Sequence, residues 1–158
     1  MAIGKENPLP LLTPHVPKAI VSAVQFGEST RNNGGASMNV NTFHLAKEGD
    51  PLFFVGGEPD ASGKRIGTEH VPSTELTMPT VLSHAKRIRE ATGGRPSANL
   101  GSWNPGDERP VMLDASSGYT NRKTAATVTE KRNEEAYWDN AKGENVYNKK
   151  YDPSKPQV

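Results

Sequence analysis

The sequence predicts a loop-rich α+β protein, with short antiparallel strands in the N-terminal half, a compact α-β-β-α-β-β unit in the C-terminal half, and extended termini. Three observations carry this expectation. Leu, Ile, Val and Phe make up under a fifth of the 158 residues, below what one thick continuous core ordinarily uses. Gly (15) and Pro (13) interrupt the chain throughout, so regular elements must be short. Between residues 80 and 147, helical spacing alternates with paired strand-like runs in an order that closes as a small sheet under helices. A formal net charge of only +1 separates the chain from disordered sequences, in which low hydrophobicity accompanies high net charge.

The elements follow in order. Residues 1–19 carry Pro8, Pro10, Pro14 and Pro17 around Leu9, Leu11 and Leu12. Each proline removes a donor and fixes φ, which predicts an extended arm. Ile20, Val24 and Phe26 share one face of a period-two pattern, predicting a strand over 20–26 that Gly27 ends. Asn32-Asn33-Gly34-Gly35 reads as a loop or hairpin tip within 28–37, and a second strand is expected over 38–46. Leu52-Phe53-Phe54-Val55 is a short apolar run of the kind buried on both faces. Residues 20–65 thus form a small β-rich region, and the Pro-bracketed stretch 66–79 is expected to link it to an α+β domain over 80–147.

In that domain Val81, Ala85, Ile88 and Ala91 fall near helical spacing and Gly93-Gly94 stops the chain, predicting a helix over 80–92. Strands are expected over 98–103 and 110–115 around the Asn104-Pro105-Gly106 turn, with cap and turn chemistry over 116–120. A second helix over 121–135 and a hairpin of 136–139 with 145–147 complete it. The predicted core is Val81, Ala85, Ile88, Leu100, Trp103, Val111, Leu113, Ala125, Val128, Trp138 and Val146. Residues 148–158 have little to bury and are expected as an extended tail.

The chemistry is sparse. With no cysteine, disulfides, thiol catalysis and Cys-based zinc sites are excluded. No apolar run reaches membrane-spanning length, so no membrane partner is expected. With 19 Lys and Arg against 18 Asp and Glu, no surplus of charge exists to hold a polyphosphate backbone, which disfavours nucleic acid. The nearest approach to a phosphate loop, Gly57 to Lys64, has five residues between its glycines where a P-loop has four, and Arg65 where the hydroxyl belongs. It reads as a turn, with phosphate contact by Lys64 and Arg65 as the alternative. His15, His44, His70 and His84 have no metal-ligand spacing. Glu58 with Asp60, Asp107 with Glu108, and Glu134 with Glu135 read as solvated charge. Lys86, Arg87 and Arg89, with Arg95 beyond, form a compact basic face suited to a protein partner or to solvent. Trp103 and Trp138 read first as core anchors and second as interface anchors, while Tyr147 and Tyr151 favour an interface.

Leu82-Ser83-His84-Ala85-Lys86-Arg87-Ile88, Leu100-Gly101-Ser102-Trp103, Val111-Met112-Leu113-Asp114-Ala115-Ser116 and Arg132-Asn133-Glu134-Glu135-Ala136-Tyr137-Trp138-Asp139 give residues 80–147 a look that resembles small α+β modules among virion structural proteins of tailed bacteriophages, especially those of actinobacteria. The resemblance implies a virion-associated protein and carries over no catalytic residue. The expected function is therefore a nonenzymatic structural component, of capsid decoration or cement type, located in the virion after assembly in the host cytoplasm. Its expected partners are protein subunits of that assembly, with no catalytic centre, cofactor or metal. Leu9, Leu11, Leu12, Lys86, Arg87, Arg89, Tyr147 and Tyr151 are the expected partner contacts. The alternative is a cytoplasmic small-molecule binding module or minor accessory enzyme using the Gly56–Arg65 loop.

Overall fold

The computed structural model describes residues 16–158. The element order is α1 (Lys18–Asn33), β1 (Gly35–Asn39), β2 (Phe53–Gly56), β3 (Glu69–Val71), a single 3-10 turn (Ser73–Glu75), α2 (Met78–Ala91), β4 (Ala98–Trp103), β5 (Val111–Tyr119), α3 (Arg122–Lys131), β6 (Ala136–Asp139) and β7 (Glu144–Tyr147). The seven strands make one antiparallel sheet in the order β1-β4-β5-β2-β6-β7, with β3 against the other end of the β5 edge that β2 occupies. The α+β expectation holds.

The predicted strand over 20–26 is instead the first half of α1. Ser22, Ala23, Phe26, Gly27 and Thr30 recur at helical spacing and are the residues the helix buries. Val24, which contributed to the strand-like look, remains on the exposed side with Val21. Gly27 does not stop the element. A β-carbon there would lie 3.0 Å from the Leu76 carbonyl oxygen, so the glycine lets α1 approach the chain entering α2. The helix ends at Gly34, whose φ of 88° supplies the left-handed cap. What read as a hairpin tip is that cap, β1 begins inside the expected loop, and of the second strand expected over 38–46 only Met38 and Asn39 fall in β1, with an isolated bridge from Met38 to Leu45. Residues 1–15 of the expected arm lie outside the described residues, and Lys18 and Ala19 already belong to α1.

The C-terminal elements follow the expectation closely, except that Ser116–Tyr119 continue β5 rather than turning. The reason is pairing: Phe53 to Gly56 of β2 align with Tyr119 to Ser116. Because β1 pairs β4 and β2 lies between β5 and β6, both halves of the chain interleave in one sheet, and the 66–79 connector separates no independent domains.

All three helices pack on one face. There α1 and α2 meet Met38, Leu100, Val111, Leu113 and Ala115 in the larger core, while α3 meets Phe53, Val55 and Tyr137 in the smaller one. Of the predicted core, Trp103 and Trp138 are 51% and 39% exposed, and Val128 and Val146 are half-buried. Trp103 is partnered across the sheet by Gly35 and Met112, and Trp138 by Phe54 and Asn145. Since cross-strand partners share a face, both indoles lie on the side away from the helices.

Candidate functional site

Two regions gather polar or aromatic groups beyond what a minimal sheet needs. The first is the Gly56–Arg65 loop leaving β2. Asp60 folds it upon itself, its Oδ1 accepting from the Ser62 amide at 2.9 Å, the Ser62 hydroxyl at 2.7 Å and the Lys64 amide at 2.9 Å. These donors, the Ser62 hydroxyl foremost, hold the Asp60 carboxyl below its usual range. The amides that would cradle a phosphate are therefore spent on the loop's own carboxylate, in agreement with the turn reading.

Glu58 and Glu134 were expected in solvent, and the structure corrects this. Glu58 has no exposed surface and Glu134 is 8% exposed. Glu58 Oε1 accepts from Arg95, and its Oε2 accepts from the Ser117 hydroxyl and lies 3.6 Å from Arg132 Nη2. Arg95 also donates to the Pro59 carbonyl at 2.7 Å and Arg132 to the Gly56 carbonyl at 3.0 Å. Arg65 donates to Glu134, whose other oxygen accepts from Gln157 at 3.2 Å. Burial of these carboxylates is possible because Glu58 meets guanidinium and hydroxyl donors and Glu134 a guanidinium and a side-chain amide. The network ties the loop to β5, α3 and the C-terminal segment, with both oxygens of each carboxylate already engaged. That arrangement clamps chain segments together. The one sequence sign of it was position: Glu58 stands two residues beyond a fully apolar strand.

The tail is held by the same end of α3. Asn133, at φ 53°, donates from Nδ2 to the carbonyls of Asp152 (2.8 Å) and Lys155 (3.1 Å) and accepts from the Asp152 amide at 2.9 Å. Residues 148–158 form no helix or strand, and these bonds pin them to the end of α3.

The second region is the face of the sheet away from the helices and its β7 edge. Trp103, Met112, Phe54, Trp138, Ala136 and Tyr147 share that face by register, and Tyr147 is 66% exposed. A shallow depression of about 280 Å³ lies among Asn39, Thr42, His44, Phe54 and Asn99. On the helix side, a groove of about 290 Å³ runs between α3 and β7, lined by Ala126, Thr129, Tyr137, Val146 and Tyr147.

The expected partner contacts scatter. Tyr147 is in this second region, Tyr151 is half-buried in the pinned tail, and Leu9, Leu11 and Leu12 lie outside the described residues. Lys86 pairs with Glu90 on α2 at 3.7 Å, Arg87 approaches Glu69 of β3 at 3.7 Å, and Arg89 donates to the Val40 carbonyl at 3.3 Å while lying over the Phe43 ring. With Arg95 drawn to Glu58, the basic cluster is divided among intramolecular partners. Of the histidines, His44 lies 3.5 Å from Asp50, His70 is exposed on β3, and His84 is half-buried on α2. Among the described residues, no group of three His, Cys, Asp or Glu side chains is placed to hold a metal ion, and no helix is long and apolar enough to cross a membrane.

No family model matches the sequence, and no curated protein or solved structure matches the chain.

Proposed function

We propose that this chain is a nonenzymatic structural subunit of a large protein assembly, a virion component of decoration or cement type in a tailed bacteriophage, joined to neighbouring subunits through surfaces that its own helices leave open. The observation that carries the reading is the two-layer architecture. Helices cover one face of the sheet, while the other presents Trp103 and Trp138, with Tyr147 at its edge. Large rings with a polar handle supply contact area at low entropic cost and are the residue types enriched where proteins meet. The buried ion pairs favour the same role, since they are spent on holding loops and tail in a fixed shape.

The test is fractionation of assembled particles from a lysate, followed by mass spectrometry and by amide exchange on free and particle-bound chain. The chain is expected in the particle band at fixed stoichiometry, with new protection at β4, β6 and β7. Lys64→Ala, which changes an exposed side chain, should leave incorporation unchanged. Exclusive recovery of the chain in the unassembled fraction would overturn the proposal.

A further inference from the structure

We propose that the outer edge of β7 receives residues 7–13 of a second copy of this chain as an added antiparallel strand. The inference rests on the assembly reading above and names its contact site and partner.

The edge is the first argument. At the opposite side of the sheet, β1 is already covered: the Asn39 amide donates to the His44 carbonyl and the Ala46 amide to the Ser37 carbonyl, each at 2.9 Å. Among the described residues β7 ends the strand order. The Asn148 amide donates to the Glu135 carbonyl at 2.8 Å, so by the alternation of an antiparallel ladder Val146 and Glu144 also bond inward to β6. The N–H and C=O groups of Asn145 and Tyr147 then point outward, a template for another strand.

The second argument is proline parity in Asn7-Pro8-Leu9-Pro10-Leu11-Leu12-Thr13-Pro14. Every proline in this stretch sits at an even position. An added antiparallel strand bonds through every second residue, so Leu9 and Leu11 can use all four outward groups of β7 while Pro8 and Pro10 turn their donorless nitrogens to solvent. In that register the two leucines share a face with Tyr147 beside Trp138, and Pro10 falls opposite Val146 at the α3 groove. The added strand's outer edge lacks donors at the prolines, so it cannot template a third.

Reach selects the second copy. The helix that follows the arm, α1, packs on β1 and α2. From β1 to β7 the sheet spans five strand spacings, about 24 Å. Thr13 to Val16 extends only about 10 Å.

Sedimentation of the full-length chain over a concentration series, with three variants, tests this. Wild type should associate with rising concentration. Leu11→Pro deletes a bonding N–H from the arm and should weaken association at least about tenfold. Leu12→Pro alters the other parity and should associate as wild type does. Asn145→Pro removes an outward donor without touching the β6 ladder and should reproduce Leu11→Pro, with circular dichroism unchanged. Wild type remaining monomeric at about 1 mM, or equal behaviour of Leu11→Pro and Leu12→Pro, would overturn the proposal. Particle incorporation separates the two readings. Leu11→Pro recovered in particles at wild-type level sinks the strand and spares the assembly role, whereas arm-dependent association of a chain missing from particles does the reverse.

Discussion

Glu58 keeps its charge away from water because Arg95, Arg132 and Ser117 converge on its two oxygens. Removing Glu58 leaves the little-exposed Arg132 guanidinium and the buried Ser117 hydroxyl without their acceptor, so Glu58→Ala should cost about 3–5 kcal/mol in urea unfolding. Glu58→Leu with Arg132→Leu should cost less than the sum of the single changes, because the pair is removed together. His84 gives the stability a pH dependence. Burial lowers its pKa, the Arg87 charge lowers it further, and Glu69 partly opposes both. The unfolded chain therefore binds the proton at higher pH than the folded one. Stability should rise as pH climbs from the lowered folded value through about 6.5 and level off above it, a slope that His84→Gln should flatten in melts across that window. Asp60 and Asp152, both lowered chiefly by hydrogen bonds from a nearby serine hydroxyl, act in a separate window below about 3.8. Among apolar residues, Leu113→Ala, at a site with no exposure, should cost about 2–5 kcal/mol. Trp138→Ala, at a partly exposed site, should cost much less in the free chain, which thermal melts of both variants will compare.

At the scale of elements, α1 shows where period-two reading fails. Ile20, Val24 and Phe26 alternate, but Ala23, Phe26, Gly27 and Thr30 mark the face that is buried. Small residues hid that stripe, since Ala, Gly and Thr weigh little in a hydrophobic pattern. Thr30 is nonetheless central: its hydroxyl meets the Ser102 hydroxyl of β4 at 2.6 Å. Gly27→Leu keeps helix propensity but drives side-chain atoms into the Leu76 backbone, and should cost about 1–3 kcal/mol by urea unfolding. Val24→Leu on the exposed side should change little. In contrast, α2, β4, α3 and the β6–β7 hairpin were legible, because each carries its own periodicity and its own stop in Gly or a polar turn.

The molecule as a whole folds as one sheet whose order crosses the chain's halves. A chain cut to residues 80–147 would lose β2, which alone joins β5 to β6 in the strand order, together with the Ala23, Phe26 and Met38 side of the larger core. Such a fragment should show no cooperative melt and flat amide-exchange protection, whereas full-length protein should unfold in one transition. A cooperative fragment would show that the β2 pairing is dispensable.

Local sequence was enough to specify the α+β class, the C-terminal elements to within a few residues and the turn nature of the Gly56–Arg65 loop, because helix spacing, strand runs and turn residues act over a few neighbours. Three outcomes needed the tertiary structure. Glu58 and Glu134 looked solvated, since the arginines that bury them stand 37, 74 and 69 positions away in sequence: Arg95 and Arg132 for Glu58, Arg65 for Glu134. Trp103 and Trp138 looked like core, since strand alternation names two faces without saying which one the helices cover. The division into two domains dissolved because strand pairing between β1 and β4, and of β2 with both β5 and β6, is nonlocal, and the free energy of those ladders is set by burial that no single segment carries.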